Sequence, residues 1–137
     1  GDVLVIGSVS GKGALPVELA LQARAMGVTT VALTAVAYSS QLTSEHPSGK
    51  LLFQAADLVI DNHADYGDAM LEVEGFDRKV CPASGICAAA ALWALTAGIV
   101  ERMVAAGVPP TVYSSVNKPG GPEDVKAVQA AYAERGV

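Results

Sequence analysis

Short apolar runs separated by helical segments dominate the first half of the chain. Residues 3–6 form an uninterrupted apolar run bounded by turn residues, which predicts a short strand buried on both faces. Pro16 and Gly27 mark the first turn and the end of a predicted helix. Residues 29–34 and 58–61 predict two further strands at the spacing of βαβ units. Strands buried on both faces are typical of a parallel sheet.

The second half of the chain is predicted to contain a long Ala-rich helix over residues 84–106, ended by Gly107. Other elements are predicted as follows: a polar loop over 35–49, a short helix over 50–56, a partly exposed strand over 70–74, a fourth parallel strand over 111–116 and an exposed helix over 122–135. Together they predict one α/β domain over residues 1–137, a three-layer α/β/α sandwich with a parallel sheet.

Composition and charge exclude several classes of protein. The chain is 51% hydrophobic and 17% charged, which is typical of a folded domain rather than a disordered one. Its net charge of -5 argues against nucleic-acid binding, which needs a basic surface. Residues 80–100 carry no charge, but Pro82 and the many small side chains favour a buried helix over a membrane span. We therefore expect neither a nucleic-acid nor a membrane partner.

The two cysteines and the N-terminal residues bear on localisation. Cys81 and Cys87 have the spacing of neither a redox pair nor a zinc half-site, so we expect reduced, buried thiols in a cytoplasmic protein. No charged segment characteristic of a signal peptide precedes the first apolar run. The chain enters that run almost at residue 1, and we expect a further segment before Gly1. No metal or cofactor is expected.

The loop over residues 8–13 is the first candidate site, because ligands of parallel sheets bind beyond the carboxyl ends of the strands. Its sequence Ser-Val-Ser-Gly-Lys-Gly offers two hydroxyls, flexible amides and the positive end of the following helix, which suit a phosphate. Lys12 adds a positive charge. The same residues also serve simply to turn a chain and cap a helix. The loop lacks the glycine pattern of nucleotide and dinucleotide sites.

Residues 2–11 resemble the central strand and the Ser-x-Ser-Gly loop of SIS (sugar isomerase) domains. Residues 31–34 and 56–61 resemble the next two strands of that family in order and spacing. Residues 44–50, followed by Asp61-Asn62 and residues 66–68, resemble a phosphosugar-binding subgroup of SIS domains. The resemblance extends over most of the chain.

The resemblance implies a flavodoxin-like, five-stranded parallel sheet, of which this chain is the C-terminal portion and lacks the first two strands. It implies a phosphosugar site, shared in a homodimer, and we expect the Ala-rich helix to provide an apolar interface. The implied phosphate-binding residues are Ser8, Ser10, Gly11, Lys12 and Ser84, with Thr34 close to the substrate. We also expect association with the missing N-terminal segment, because half a sheet exposes an edge and apolar faces.

Catalysis at a sugar phosphate needs a positioned base next to a carbonyl. His46 is the first candidate, because histidine titrates near neutrality, and His63 is the next, although a polar loop residue explains it as well. Glu72 is the candidate acid and shares a face with Glu74, although solvated surface acids are commoner. Tyr38 and Tyr66 are candidates for contacting the sugar, although loop tyrosines also pack against their own domain. Asn117 fits a turn better than a site.

The resemblance implies an isomerase or a lyase (dehydratase) acting on an amino sugar phosphate such as N-acetylglucosamine 6-phosphate. The Ala-rich helix has no acid before Glu101, whereas isomerases of the family place a catalytic acid near such a helix start. This difference favours elimination over simple isomerisation. Two alternatives stay open: a non-catalytic domain that senses sugar phosphates, and an FMN or mononucleotide binder on the same topology.

Overall fold

The computed structural model describes residues 1–135. The chain divides into two compact units, Gly1–Ala94 and Leu95–Val137. The first unit contains both sheets and the candidate site, and the second is helical.

A three-stranded parallel sheet forms the centre of the first unit, in the order β1-β2-β3. Val31 of the middle strand pairs with Val5 on one side and Leu58 on the other. The elements of this part are β1 (Val3–Gly7), α1 (Ala14–Ala25), β2 (Thr29–Thr34), α2 (Val36–Ser39), α3 (Leu52–Ala55) and β3 (Leu58–Asp61). The predicted α/β fold with a parallel sheet and flanking helices is confirmed. Only α2, inside the predicted polar loop, is an addition.

The core of this unit lies between the sheet and helices α1 and α3. Val17 and Ala20 of α1 are fully buried, at the spacing that places two residues on one helix face. They pack with Leu52 and Ala55 of α3, and with Ile6 and Ala32 of the sheet. Small residues on both surfaces let the helices approach the sheet closely. Leu52 is the largest side chain that the fold buries completely.

The prediction that each strand is buried on both faces is correct only for β2. Of β1, only Ile6 is buried; Val3 is 63% exposed, and Leu58 and Val59 of β3 are exposed too. The reason is position: β1 and β3 are the edges of the described sheet, and Val3 and Val5 point away from the face that α1 and α3 cover. The expected partner for these surfaces stays a prediction.

A second, two-stranded antiparallel sheet follows, formed by β4 (Ala69–Leu71) and β5 (Val80–Pro82). The predicted strand over 70–74 is therefore shorter and starts earlier, and β5 lacks a sequence signal because it ends in a proline. Cys81 lies in β5 with a φ of 63°. Both cysteines are free, but Cys81 is exposed and Cys87 half-buried, so the prediction of buried thiols was wrong.

Helix α4 (Ser84–Ala105) confirms the predicted Ala-rich helix within one or two residues. Of its residues only Ser84 is buried, and large side chains such as Ile86 and Trp93 are exposed. Among the described residues it is the one helix long and apolar enough to cross a membrane, by length and composition alone. The expectation of a buried helix over this stretch was wrong for the described chain, because the part of α4 that meets these two criteria is 0% buried.

The second unit contains the C-terminal part of α4 and helix α5 (Gly121–Arg135). Helix α5 confirms the prediction over 122–135. The predicted strand over 111–116 was wrong: these residues form no ladder, and the carbonyl of Ser115 accepts a turn hydrogen bond from the amide of Lys118. A β-rich run becomes a strand only where a neighbouring strand pairs with it.

Candidate functional site

The loop over residues 8–13 connects β1 to α1 at the carboxyl edge of the parallel sheet. Its carbonyl groups are held by neighbouring segments: Val9 accepts from the amide of Ala35 at 3.1 Å, and Gly11 accepts from the amide of Leu52 at 2.8 Å. The Thr34 hydroxyl, fully buried, donates to the same Val9 carbonyl at 3.0 Å. Thr34, predicted to contact the substrate, thus fixes the loop in this structure.

Several amide groups of the same loop have no protein acceptor among the described residues. The amide of Gly11 donates to Ser8 Oγ at 3.3 Å, whereas those of Val9, Ser10 and Lys12 are not bonded within the protein. In this loop the fold holds the carbonyls and leaves several amides open to donate. Such an arrangement binds an anion, and in this structure it lies next to the positive N-terminus of α1. The loop geometry therefore agrees with the predicted phosphate site.

A cavity of about 170 Å³ opens beside this loop. Its wall contains three polar side chains, Ser8, Asn62 and Ser84. The remaining lining residues are small or apolar: Gly7, Val9, Leu33, Gly85 and Ala88. The cavity brings together two of the predicted phosphate-binding residues, Ser8 and Ser84. Ser10, Gly11 and Lys12 do not line it, and their predicted role stays a prediction.

Asn62 lines this cavity and was not among the predicted site residues. It follows β3 and is only 6% exposed. Its Oδ1 accepts the amide of Ala64 at 3.1 Å, which closes a tight turn at the end of the strand. The signal for it was its position directly after a predicted strand, the same criterion that singled out the loop after β1.

Ser84 is the first residue of α4, and its hydroxyl is already hydrogen-bonded within the protein. Asp68 accepts the Ser84 amide at 2.8 Å and the Ser84 hydroxyl at 2.6 Å, so one carboxylate caps the helix. The hydroxyl proton of Ser84 is thus directed at Asp68, and only its lone pairs remain for a ligand. Helix α4 lacks an acid of its own here, but the fold places one at its start from 16 residues upstream.

Lys12 points to the loop over residues 44–50 instead of the cavity. Its Nζ lies 2.7 Å from Glu45 Oε1, and the Lys12 carbonyl accepts the Glu45 amide at 2.9 Å. The hydrogen bond to Glu45 raises the pKa of the Lys12 ammonium above its usual value, so this group stays charged. The pair joins the loop over residues 8–13, called the phosphate-site loop below because a phosphate is predicted to bind there, to the loop over residues 44–50.

His46 lies in that second loop with both ring nitrogens bonded. Nδ1 accepts the Ser48 amide at 3.1 Å and lies 2.7 Å from Ser48 Oγ. Since Nδ1 is an acceptor, Nε2 carries the proton and donates to Glu18 Oε2 at 2.6 Å. This hydrogen bond lowers the pKa of Glu18. The His46 side chain is 10% exposed and ties its loop to α1.

The other predicted site residues lie apart from the cavity wall. Glu72 follows β4, is exposed and lies 3.3 Å from Lys79 Nζ, in the second sheet. Tyr38 and Tyr66 contact each other edge to face, with ring centroids 5.0 Å apart. His63 is 84% exposed, beside Asp61. Among residues 1–135, no three His, Cys, Asp or Glu side chains cluster as metal ligands.

A larger open depression of about 550 Å³ lies at the opposite end of the parallel sheet. Its charged groups are already paired: Arg24 Nε lies 2.7 Å from Asp57 Oδ1, and Asp57 Oδ2 accepts the amide and the hydroxyl of Thr30. Because ligands of parallel sheets bind at the carboxyl ends of the strands, we place the site at the smaller cavity.

Comparison with known proteins finds one family model and several relatives. A family model described as SIS domain matches residues 1–35, which contain β1, the phosphate-site loop, α1 and β2. The UPF0309 protein of Streptomyces griseus is 42% identical over 135 residues, covering 98% of this chain and 54% of the relative. The match over residues 1–35 supports the SIS domain family for this chain. The UPF0309 protein of Shouchella clausii is 40% identical over 121 residues, covering 88% of this chain and 49% of the relative.

A UPF0309 protein of Listeria monocytogenes is 37% identical over 134 residues, covering 98% of this chain and 57% of the relative. The chain therefore spans about half the length of the relatives it matches. The family match includes the loop over residues 8–13, whose open amides suit an anion.

Proposed function

We propose that the protein binds an amino sugar phosphate, such as N-acetylglucosamine 6-phosphate, and acts on it as an isomerase or a lyase (dehydratase). The observation that supports this proposal best is the pairing of the open loop amides with the cavity of about 170 Å³ at the same sheet edge. Ligand pockets usually measure roughly 300 to 1,000 Å³. The cavity is therefore suited to one end of the ligand, with the rest outside it.

The chemistry needs a base, and the Asp68 carboxylate is hydrogen-bonded to Ser84 of this wall. It reaches the cavity only through Ser84, whose hydroxyl lies 2.6 Å from Asp68 Oδ2. A proton taken up at Ser84 can pass to Asp68 along this hydrogen bond. His46 and Glu72 would have to leave their present partners, Glu18 and Lys79, to reach a ligand in the cavity.

One observation favours sensing without catalysis as a second function. Within the described residues, none of the side chains lining the cavity is titratable. A domain that only binds a sugar phosphate needs hydrogen-bond donors and no base. Binding is common to both functions, and turnover separates them.

The test is a thermal-shift screen of the full-length protein against sugar phosphates, followed by NMR detection of product. A ligand that binds the native state raises the unfolding midpoint. We expect N-acetylglucosamine 6-phosphate to raise it, and Ser8→Ala and Ser10→Ala to reduce the shift. Ser40→Ala is the matched control, because Ser40 is exposed on another segment.

The outcomes are distinct. No stabilisation by any sugar phosphate refutes the phosphosugar proposal. Stabilisation with product formation supports the enzyme, and loss of turnover in Asp68→Asn would then assign the base. Stabilisation without turnover supports the sensor.

A further inference from the structure

We propose that the side-chain amide of Asn62 donates a hydrogen bond to an oxygen of the bound ligand, and so helps to decide which ligand this cavity accepts. The inference rests on the proposed function, because it concerns the same cavity. It adds a binding residue that neither the loop motif nor the predicted site contained.

The first argument is that the side-chain amide of Asn62 has an open donor at the cavity. Asn62 is 6% exposed as a residue, and only its Oδ1 has a protein partner, the amide of Ala64. Its Nδ2, with two N–H donors, has none among the described residues. Within residues 1–135, Ser39 Oγ is the one fully buried side-chain polar atom without a partner, so Asn62 Nδ2 keeps access to solvent. Since Asn62 lines the cavity, a ligand entering it can replace that solvent and accept from Nδ2.

The orientation of the amide follows from its neighbour. The backbone of Ala64 offers a hydrogen atom, so the side-chain atom 3.1 Å from it must be the acceptor Oδ1. The other atom of the amide is therefore the nitrogen. Turning the side chain over would place two donors together and leave the Ala64 amide unsatisfied.

The hydrogen-bond donors and acceptors on the cavity wall decide which chemical group can bind there. Nδ2 can only donate, and the hydroxyl of Ser8, which accepts the Gly11 amide, keeps its own proton free to donate. No lysine, arginine or histidine among the described residues lines the cavity, and Lys12 is held by Glu45. A ligand oxygen that accepts hydrogen bonds from neutral donors fits this wall. Phosphate oxygens and sugar or acetamido oxygens share that chemistry.

The experiment exchanges the donor for an acceptor with almost no change of shape. In Asn62→Asp the oxygen that caps Ala64 is retained, while Nδ2 becomes a second, negatively charged oxygen. Affinities for inorganic phosphate, N-acetylglucosamine and N-acetylglucosamine 6-phosphate are measured by calorimetry on wild type and variant. Asn117→Asp is the matched control, since Asn117 is exposed and lies in the other unit.

We expect Asn62→Asp to weaken the sugar phosphate by at least about tenfold, because a donor to a charged group is replaced by a repelling acceptor. An equal loss for inorganic phosphate places the contact on the phosphate. A loss confined to the sugar-containing ligands places it on the sugar. Affinities unchanged within about twofold in Asn62→Asp, with wild-type binding intact, overturn this inference and leave the proposed function standing.

A second measurement does not depend on the variant being folded. The chain contains asparagine only at positions 62 and 117. Selective ¹⁵N labelling of asparagine therefore gives two side-chain amide pairs for this segment, one of which is an internal control. Titration with the sugar phosphate should shift the Asn62 pair and leave the Asn117 pair in place. An unmoved Asn62 pair at saturation would refute the contact, whereas a wild type that binds none of the ligands would refute the proposed function itself.

Discussion

Gly11 is the position where the phosphate-site loop tolerates a side chain least. Its φ is +56°, in the left-handed region that favours glycine. A Cβ at this position would lie 3.0 Å from Ser39 Oγ and 3.2 Å from both Leu52 Cβ and Thr34 Oγ1. All three neighbours are fully buried, so none can swing into solvent. The Gly11→Ala variant therefore introduces backbone strain and overpacking at once.

The destabilisation has two parts. A non-glycine residue in the left-handed region costs roughly 1 to 2 kcal/mol. Forcing a methyl group into a packed site costs about 1 to 3 kcal/mol. We expect Gly11→Ala to lower the free energy of unfolding by about 2 to 5 kcal/mol, which is a large part of the stability of a typical domain.

Two other glycines provide the controls, and urea denaturation provides the assay. Gly27 has a φ of +79°, and a Cβ added there would meet no atom within 4 Å, so Gly27→Ala measures the backbone strain alone. Gly13 has a φ of −62° and only ordinary contacts with Pro16, so Gly13→Ala should cost about 1 kcal/mol or less. The order of destabilisation should be Gly11, then Gly27, then Gly13.

A second substitution tests the steric part directly. Ser39 Oγ is the nearest atom to the added methyl group, and it is buried without a hydrogen-bond partner among the described residues. Ser39→Ala should be neutral or stabilising by itself and should recover part of the loss in the double variant. The reasoning is refuted if Gly11→Ala destabilises no more than Gly27→Ala, or if Ser39→Ala recovers nothing.

Two further predictions concern charged groups. Hydrogen bonds from Thr30, and the adjacent Arg24, hold the pKa of Asp57 below its ordinary 3.8, so its stabilising contribution is present above that pH and is lost as the pH falls through the lower folded value. The thermal midpoint should therefore fall more steeply below about pH 4 in wild type than in Asp57→Asn, with Asp65→Asn retaining the wild-type profile; equal slopes would contradict this. His46→Ala should detach the loop over 44–50 from Glu18 and speed tryptic cleavage after Lys50, whereas His63→Ala, at an exposed histidine, should not. Unchanged cleavage in His46→Ala would show that the loop is held by other contacts.

The parts of the fold predicted correctly are those with a local signal. Gly or Pro lies near the ends of β1, α1, α4 and α5, and β2 and β3 are continuous β-rich runs, so each of these signals acts within a few residues. The wrong predictions concern segments in which pairing with another strand decides whether a strand forms. Residues 111–116 have strand-forming side chains and, within the described chain, no partner strand, and β5 owes its existence to the ladder with β4.

The candidate site divides in the same way. The loop over residues 8–13 could be found from the sequence because its residue types and its place after a strand are both local. Asn62 was missed although it directly follows a predicted strand, whereas Asp68 could not be assigned because its role depends on a remote residue, Ser84. Asp68 caps Ser84 across 16 residues, and Lys12 is directed away from the cavity by Glu45.

The sequence by itself determined the SIS-type succession of strands and helices and the phosphate-site loop, because periodicity, turn residues and a short motif are written in consecutive positions. The tertiary structure decided which polar groups face the cavity, which strand is buried and which charges are paired. Those properties depend on distances between segments that only folding brings together, so Asn62 became a candidate site residue and Lys12 a loop anchor.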